Sequence, residues 1–297
     1  MSERGGTATR VAAVLAAYNR RDLTLACLRS LQAQQLPGVT LDLFVLDDAS
    51  SDGTSEQIAE QFPEVTLLHG NGQLYWNGGM RRAFAAAMAG DYDYYLWMND
   101  DTHLNDGALA VLLDTESRLR AGGEGALIVA GSTRHPATGE LTYGGVVHPY
   151  RWRPLKSVRV QPGDAPRPCD TMNGNVALIS RAVVQRVGNV DPAFVQQMAD
   201  FDYGLRARAA GCSVWVAPGT VGTCASHPKR RPGERPLVEE LRRLWSVKEL
   251  KPGPWAVYSR RWAGRLWPLY WLSPYVRRAT WLVLERTPLG RPRRGAV

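Results

Sequence analysis

Two pairs of adjacent carboxylates close apolar stretches of this chain: Asp47-Asp48 in "LFVLDDASSDGT" and Asp100-Asp101 in "YYLWMNDDTH". A carboxylate at the end of a core strand is expensive to desolvate unless a cation or strong donors meet it. The carboxyl ends of parallel strands are also where α/β sheets bind ligands. Like charges this close raise each other's pKa unless something cationic intervenes. Hard oxygen ligands in such a place suit Mg²⁺ or Mn²⁺, ions that keep waters and take phosphate oxygens as remaining ligands. A nucleotide diphosphate is the obvious bridging ligand. The blander alternative makes Asp48 a helix cap and leaves Asp100 and Asp101 as solvated turn residues. For a single pair that alternative would compete evenly; two pairs shift the reading toward a site.

The elements that must position these groups alternate. Apolar runs at 11–17, 41–47, 65–69 and 94–98 read as strands, and helical spacing follows each of them, at 22–35, after "SSDGT", at 80–89 and at 105–119. The Gly-rich "GNGQLYWNGG" reads as a turn leading into the third helix. Strand-helix alternation of this length means βαβ units and a mostly parallel sheet. From about 130 to 170 the rhythm breaks into irregular hairpins and loop. It resumes with a strand and helix over 175–188, a helix over 200–211 that ends at Gly211, and a last strand in "SVWVAPG".

Five segments in this order, "LAAYNRRDLTLACLRSL", "VLDDASSDGT", "WNGGMRRAF", "LWMNDDT" and "DFDYGLRARAAG", resemble glycosyltransferase family 2, the inverting enzymes with the GT-A fold. The resemblance covers about residues 10–225 and is nearest to bacterial rhamnosyltransferase-like and galactofuranosyltransferase-like members. It implies a Rossmann-like, mostly parallel sheet flanked by helices, and transfer of a sugar from a nucleotide-diphosphate donor. By the match, Ala16, Tyr18 and Asp48 line the pocket for the base, where a carboxylate can accept the imide N–H of uracil or thymine. Asn77 and Gly78 fall in the donor-side loop. Asp100 lies near the ribose, and Asp101 holds Mn²⁺ or Mg²⁺. Asn99 stands where an acidic residue often precedes them, which removes a carboxylate from the metal site. Asp200 matches the base that takes the acceptor's hydroxyl proton, although Ala199 replaces the acid that often precedes it. Asp202 is expected to pair with Arg206, four residues along a helix. "NGN" at 173–175 resembles a loop beside donor sugar and acceptor. His227 is a loose match to a downstream metal-ligating histidine, and His103 reads as a surface residue.

Charge separates the chain into two parts. Residues 229–297 hold 17 Lys and Arg against 5 Asp and Glu, whereas the first 228 hold 19 against 23. Six of the ten tryptophans also lie beyond residue 240. We therefore divide the chain into a GT-A domain over 1–228 and a basic, Trp-rich helical extension over 229–297. Aromatic rings interleaved with arginine suit the interface of an anionic membrane. The alternative packs the tryptophans on the catalytic domain or on a second copy in a homo-oligomer. Nucleic acid is a weaker partner, because no module for it is present. No run reaches the ~20 apolar residues of a membrane span, and "RLWPLYWLSPYVRR" is interrupted by Pro268 and Pro274. Scattered cysteines without a CxxC pair speak for a reducing compartment, and "RVAAVLAAY" reads as the first strand rather than a signal peptide.

The expectation is an inverting, metal-dependent transferase on the cytoplasmic face of the plasma membrane. Its donor would be a dTDP- or UDP-sugar, rhamnose favoured, and its acceptor a surface glycan or polyprenyl-linked glycan. A nucleotidyltransferase is the rival enzyme, though "AAYNRRD" lacks the Gly-rich phosphate loop it would want after the first strand. A catalytically silent membrane-surface binding protein is the rival from another class.

Overall fold

A strand buried on both faces has no polar side to show, and β1 (Thr9–Ala17) is such a strand, with Val11 to Leu15 fully buried. In the computed structural model, which describes residues 8–225 and 250–284 with side chains to residue 280, β1 lies inside an eight-stranded sheet. The other strands are β2 (Val39–Asp47), β3 (Thr66–His69), β4 (Tyr94–Met98), β5 (Leu127–Ala130), β6 (Arg167–Cys169), β7 (Val176–Ser180) and β8 (Ser213–Val216). Their spatial order is β6-β8-β5-β7-β4-β1-β2-β3. All neighbours pair parallel except at β7 and β6, which run against the rest.

Alternation along each strand assigns residues to two cores. On one face Ala12, Val14, Phe44, Leu46 and Trp97 meet α3 (Tyr75–Met88) and α6 (Ala199–Ala209), through Met80, Phe84 and Tyr203. On the other, Val11, Ala13, Leu15, Val45 and Leu96 meet α1 (Arg21–Gln32), α2 (Thr54–Gln61) and α4 (Ala108–Ala121), through Leu28, Ile58 and Leu112. Phe84 stands edge-on to both Tyr95 and Trp97, and Trp97 packs against Tyr203 at 4.6 Å between centroids. Truncating a ring in this cluster to Ala would cost about 3–5 kcal/mol. α5 (Arg181–Val187) follows β7 directly.

The segment that breaks the rhythm forms short strands of two or three residues in two small sheets. One of those sheets pairs Thr102–Leu104, just past β4, with Gly222–Cys224. The third helix begins at Tyr75, five residues before the sequence pattern places it, so Asn77, Gly78 and Gly79 lie in its first turns.

The chain forms two compact units. The first is described over 8–149 and 157–225; the second takes in 150–156, which the sequence division left in the first domain, together with 250–284. Within the second, α7 (Pro252–Trp262) and α8 (Trp267–Leu284) are tied by their own aromatics. Trp255 Nε1 donates to the Trp271 carbonyl at 3.1 Å, Trp271 Nε1 to the Pro252 carbonyl at 3.0 Å, and Tyr275 to the Leu250 carbonyl at 2.7 Å. The prolines do not interrupt α8. Pro268 sits in its first turn, where a missing N–H is harmless. Pro274 deprives the Tyr270 carbonyl of its helical partner, and the Ser273 hydroxyl donates to that carbonyl instead, at 3.0 Å. A groove of about 630 Å³ is lined by Leu155, Trp255, Leu269 and Pro274, with Arg153, Lys156 and Arg277 among its polar residues. Among the described residues no helix is long and apolar enough to cross a membrane.

Candidate active site

β4 delivers Asn99, Asp100 and Asp101 at the carboxyl end of the sheet, and β1, its neighbour, delivers Asn19 and Arg20 beside them. The side chains of Asp100 and Asp101 are only 9% and 13% exposed, so each needs compensation. Arg20 supplies part of it. Arg20 Nη1 lies 3.2 Å from Asp100 Oδ1 and 2.8 Å from Asp101 Oδ2. The other oxygen of Asp101 accepts from the Cys224 thiol at 3.3 Å, and Asn175 Nδ2 donates to the same sulfur at 3.5 Å. Burial first, with help from Asp101, pushes the Cys224 thiol up to about 12, so it stays protonated and able to donate. Burial pushes the Asp100 carboxyl up to about 7; Arg20 opposes that rise and the Asp101 charge adds to it.

The acid pair at β2 is met differently. Asp48 is 4% exposed and accepts four backbone N–H bonds, from Asn71 at 3.1 Å, Gly72 at 2.8 Å, Leu74 at 2.8 Å and Tyr75 at 3.1 Å. Those bonds use a carboxylate's acceptor sites and cap the first N–H groups of α3 from a distance. A Cβ at Gly70 would come 2.3 Å from Asp48 Oδ1, so only glycine fits against this anchor. Asp48 therefore holds the loop that leads into α3. Asp47 accepts from the Ser50 N–H at 3.2 Å and from the hydroxyls of Ser50 and Ser55.

Other residues singled out by sequence also have structural partners. Asn77 is buried inside α3, and its Nδ2 donates to the carbonyls of Asp191 at 2.9 Å and Phe194 at 2.7 Å. A Cβ on Gly79 would lie 2.7 Å from Ala16 Cβ, which fixes how closely α3 crosses the end of β1. One on Gly78 would press on Leu74 at 3.1 Å. Tyr18 is 51% exposed just past β1.

Asp200 opens α6. Its Oδ2 accepts from the Gly174 N–H at 3.0 Å and its Oδ1 from the Phe201 N–H at 2.8 Å. Burial pushes its carboxyl above the ordinary value of 3.8, while these bonds and one from Asn173 pull the other way. Asp202, itself fully buried, pairs with Arg206 at 2.8 Å. Between Asp200 and the β4 acids stands a residue the sequence reading passed over. The Trp76 indole N–H donates to Asn99 Oδ1 at 2.8 Å. Its ring lies so near Gly174 that a Cβ there would be 2.9 Å from Cζ2 and 3.4 Å from Asp200 Cβ. Asn99, Trp76, Gly174 and Asp200 thus make one continuous wall, with Asp100 and Asp101 at one end. The Asn175 carbonyl also receives the Asn99 N–H at 3.3 Å, which joins "NGN" to the acid pair.

Among the described residues, the non-glycine residues with positive φ are Asn19, Ala49, Tyr75 and Met198. They follow β1 and β2 and open α3 and α6, so each lies on a loop that carries one of these groups. Left-handed backbone costs about 1–2 kcal/mol per non-glycine residue, and such strain concentrates at functional sites.

Within the described residues no three His, Cys, Asp or Glu side chains converge into a metal cage. The two carboxylates nonetheless fit an ion of the Mg²⁺ or Mn²⁺ kind, which takes one or two protein carboxylates and completes its shell with substrate phosphate and water. Their need for positive charge is visible in Arg20. His227 lies outside the described residues, and His103 is exposed on its short strand.

Comparison with known proteins bears on the family and the fold. The family model for glycosyl transferase family 2 matches residues 12–174. A Mycobacterium tuberculosis protein, N-acetylglucosaminyl-diphospho-decaprenol L-rhamnosyltransferase, is 30% identical over 205 residues, which are 61% of this chain and 66% of that protein, just under two thirds of its length. GalNAc-T7, solved with UDP, GalNAc and Mn²⁺, superposes with a TM-score of 0.58 at 13% identity, over 96% of this chain and 59% of that one. The mannosyltransferase PcManGT from Pyrobaculum calidifontis, solved with GDP-Man and Mn²⁺, gives 0.51 at 19% identity, over 93% and 70%. At these identities the likeness shows the fold, and that fold is GT-A.

Proposed function

The chain belongs to glycosyl transferase family 2, and from that premise we propose that it moves a hexose, with inversion, from a nucleotide-diphosphate donor to a lipid-linked or surface glycan. One observation carries the proposal: the acid pair at β4 and the oriented carboxylate of Asp200 share one wall through Asn99, Trp76 and Gly174.

In this reading Asp200 is the base. N–H donors hold both of its oxygens in place, and a remaining lone pair would meet an acceptor hydroxyl. It takes that proton as the acceptor oxygen bonds to the anomeric carbon and the bond to the diphosphate oxygen breaks. Asp101 would hold Mn²⁺ or Mg²⁺, with Asp100 beside the ribose and His227 as a further ligand. When bound, such an ion neutralises charge on the departing diphosphate. Ala16, Tyr18, Asn77 and Gly78 border the donor on the loop that Asp48 shapes. The mycobacterial relative's name supports L-rhamnose as the sugar and a diphospho-polyprenol as the acceptor's carrier. The complexes of the two structural neighbours support a nucleotide sugar with a divalent ion.

The second unit supports attachment to the inner face of the plasma membrane. Residues 150–156 and 250–284 hold nine Lys and Arg and no Asp or Glu. On and just before α8, Leu266, Leu269, Leu272 and Val276 are 46% to 65% exposed. Apolar side chains among cations suit an anionic bilayer surface.

Calorimetry with UDP, dTDP, GDP and CDP, with and without Mn²⁺, tests the donor site. One nucleotide should bind with metal dependence in the natural protein and not in Asp101→Ala. The same pattern in both proteins, or no binding at all, removes the reading.

A further inference from the structure

A bilayer surface is flat, and a flat surface does not fill a concavity. The second unit nevertheless holds a groove of about 630 Å³, within the roughly 300–1,000 Å³ of cavities that take one small molecule. One wall is α8 with the turn before it. Leu266, Leu269, Tyr270, Ser273, Pro274 and Arg277 line it at the three- and four-residue spacing of a single helix face. The segment 150–156 supplies Arg153, Leu155 and Lys156. It is tied to α8 by the Tyr270 hydroxyl, which donates to the Trp152 carbonyl at 2.6 Å. Trp255, near the start of α7, completes the apolar lining.

The lining changes character along α8. Leu266 and Leu269, both exposed, stand at one end, and Arg277 stands about 12 Å beyond Leu269 at 1.5 Å per residue. Arg153 and Lys156 add two more cations, held 5.4 Å over the Trp152 ring and 4.6 Å over the Tyr150 ring. The described residues of this unit include no Asp or Glu to pair with any of the three. Three cations without a local counter-charge suit a group of two or more negative charges, and guanidinium forks suit phosphate in particular. A channel that passes from leucine to arginine fits an apolar chain with a phosphate at its end. Leu272 and Val276 are exposed on α8 outside the lining and remain for the bilayer itself.

We infer that this groove is a binding site for one membrane lipid that ends in a phosphate or diphosphate. The chain lies along Leu266 and Leu269, and Arg153, Lys156 and Arg277 hold the phosphate. The inference rests on the attachment reading above and deepens it, because the surface is then recognised through one seated lipid as well as through its diffuse charge. It does not depend on the donor site.

The test uses the full chain and has two arms. In calorimetry with a metal chelator present, farnesyl diphosphate should bind at least about tenfold more tightly than inorganic diphosphate or farnesol. Arg153→Ala and Arg277→Ala, both at exposed positions, should each weaken it about tenfold. Arg265→Ala, exposed in the same unit but outside the lining, should leave it unchanged. Inorganic diphosphate or farnesol binding as tightly as farnesyl diphosphate, equal weakening by Arg265→Ala, or displacement by UDP or dTDP overturns the inference. The second arm tests the membrane as the source, by flotation on phosphatidylcholine vesicles of matched surface charge. The natural protein should float several-fold more with phosphatidic acid, whose phosphate is terminal, than with phosphatidylglycerol, and Arg277→Ala should erase the difference. Equal flotation on both overturns the inference and leaves charge-driven attachment standing. Flotation on neither overturns both.

Discussion

Two acid pairs close two parallel strands of one sheet, and their surroundings differ in kind. At β2, Asp47 and Asp48 are met by hydroxyls and by backbone N–H groups of a loop that exists only when folded. At β4, Asp100 and Asp101 are met by a half-exposed arginine and a thiol. Backbone donors are fixed, and losing them means unfolding the loop. A side-chain cation can be exchanged for another cation. The two pairs thus differ in whether their compensation can be replaced without unfolding a loop.

The comparison breaks most visibly at Asp48. Asp48→Ala strands four N–H donors at the start of α3, and at about 1 kcal/mol for each hydrogen bond the loss should be about 4 kcal/mol in urea unfolding. A loss under about 1 kcal/mol would mean that the loop does not need the carboxylate, and would leave Asp48 free for the base pocket.

Asp200 carries the next effect. Asp200→Asn should lower transfer by about 10²-fold or more and leave nucleotide binding unchanged; intact transfer removes Asp200 as the base. Its pH dependence has a definite sign. Burial holds its folded pKa above 3.8, and the base works only when ionised. The acid limb of the rate profile should therefore lie above the ordinary aspartate range. In unfolding, the folded state keeps this proton longer than the unfolded chain. Its contribution to stability thus declines as pH rises from 3.8 through the raised value, and Asp200→Asn should flatten that decline.

At Asp101 the expected pattern is the reverse of Asp48. Asp101→Asn removes one of two crowded like charges while Arg20 keeps Asp100, so stability should change by roughly 1 kcal/mol or less. Metal-promoted nucleotide binding should nevertheless weaken by about tenfold or more. A large stability loss with metal-promoted binding intact would make the β4 pair a structural anchor like its counterpart.

Much of this was legible in the sequence because burial on both faces turns central strands into apolar runs. The ends of β1, β2 and β4 followed from that pattern, and with them the places where the carboxylates emerge. The start of α3 did not. "YWNGG" has the composition of a turn, and it is helical because Asp48 caps it from another strand and Asn77 clamps it to residues 191 and 194. The role of Arg20 was hidden for a related reason: eighty residues separate it from Asp100, and only the β4-β1 adjacency joins them. Trp76 carried a weak signal, a tryptophan beside the donor-side glycines, but its partner Asn99 comes from a different strand. Pro274 was read as a breaker because the rescuing hydroxyl of Ser273 acts only once the helix has formed.

The smallest effect sharpens the comparison from the other side. Asp47 is 1% exposed, and its oxygens are shared between Ser50, through N–H and hydroxyl, and the Ser55 hydroxyl. Ser55→Ala removes one of these donors and leaves the Ser50 pair in place, so the carboxylate is underserved rather than abandoned. The expected loss is about 1 kcal/mol in urea unfolding, with no change in nucleotide affinity, because nothing at Asp47 has to be exchanged for a ligand. If Ser55→Ala instead weakened nucleotide binding while stability held, replaceable compensation would exist at β2 as well. The distinction between the two acid pairs would then be one of degree.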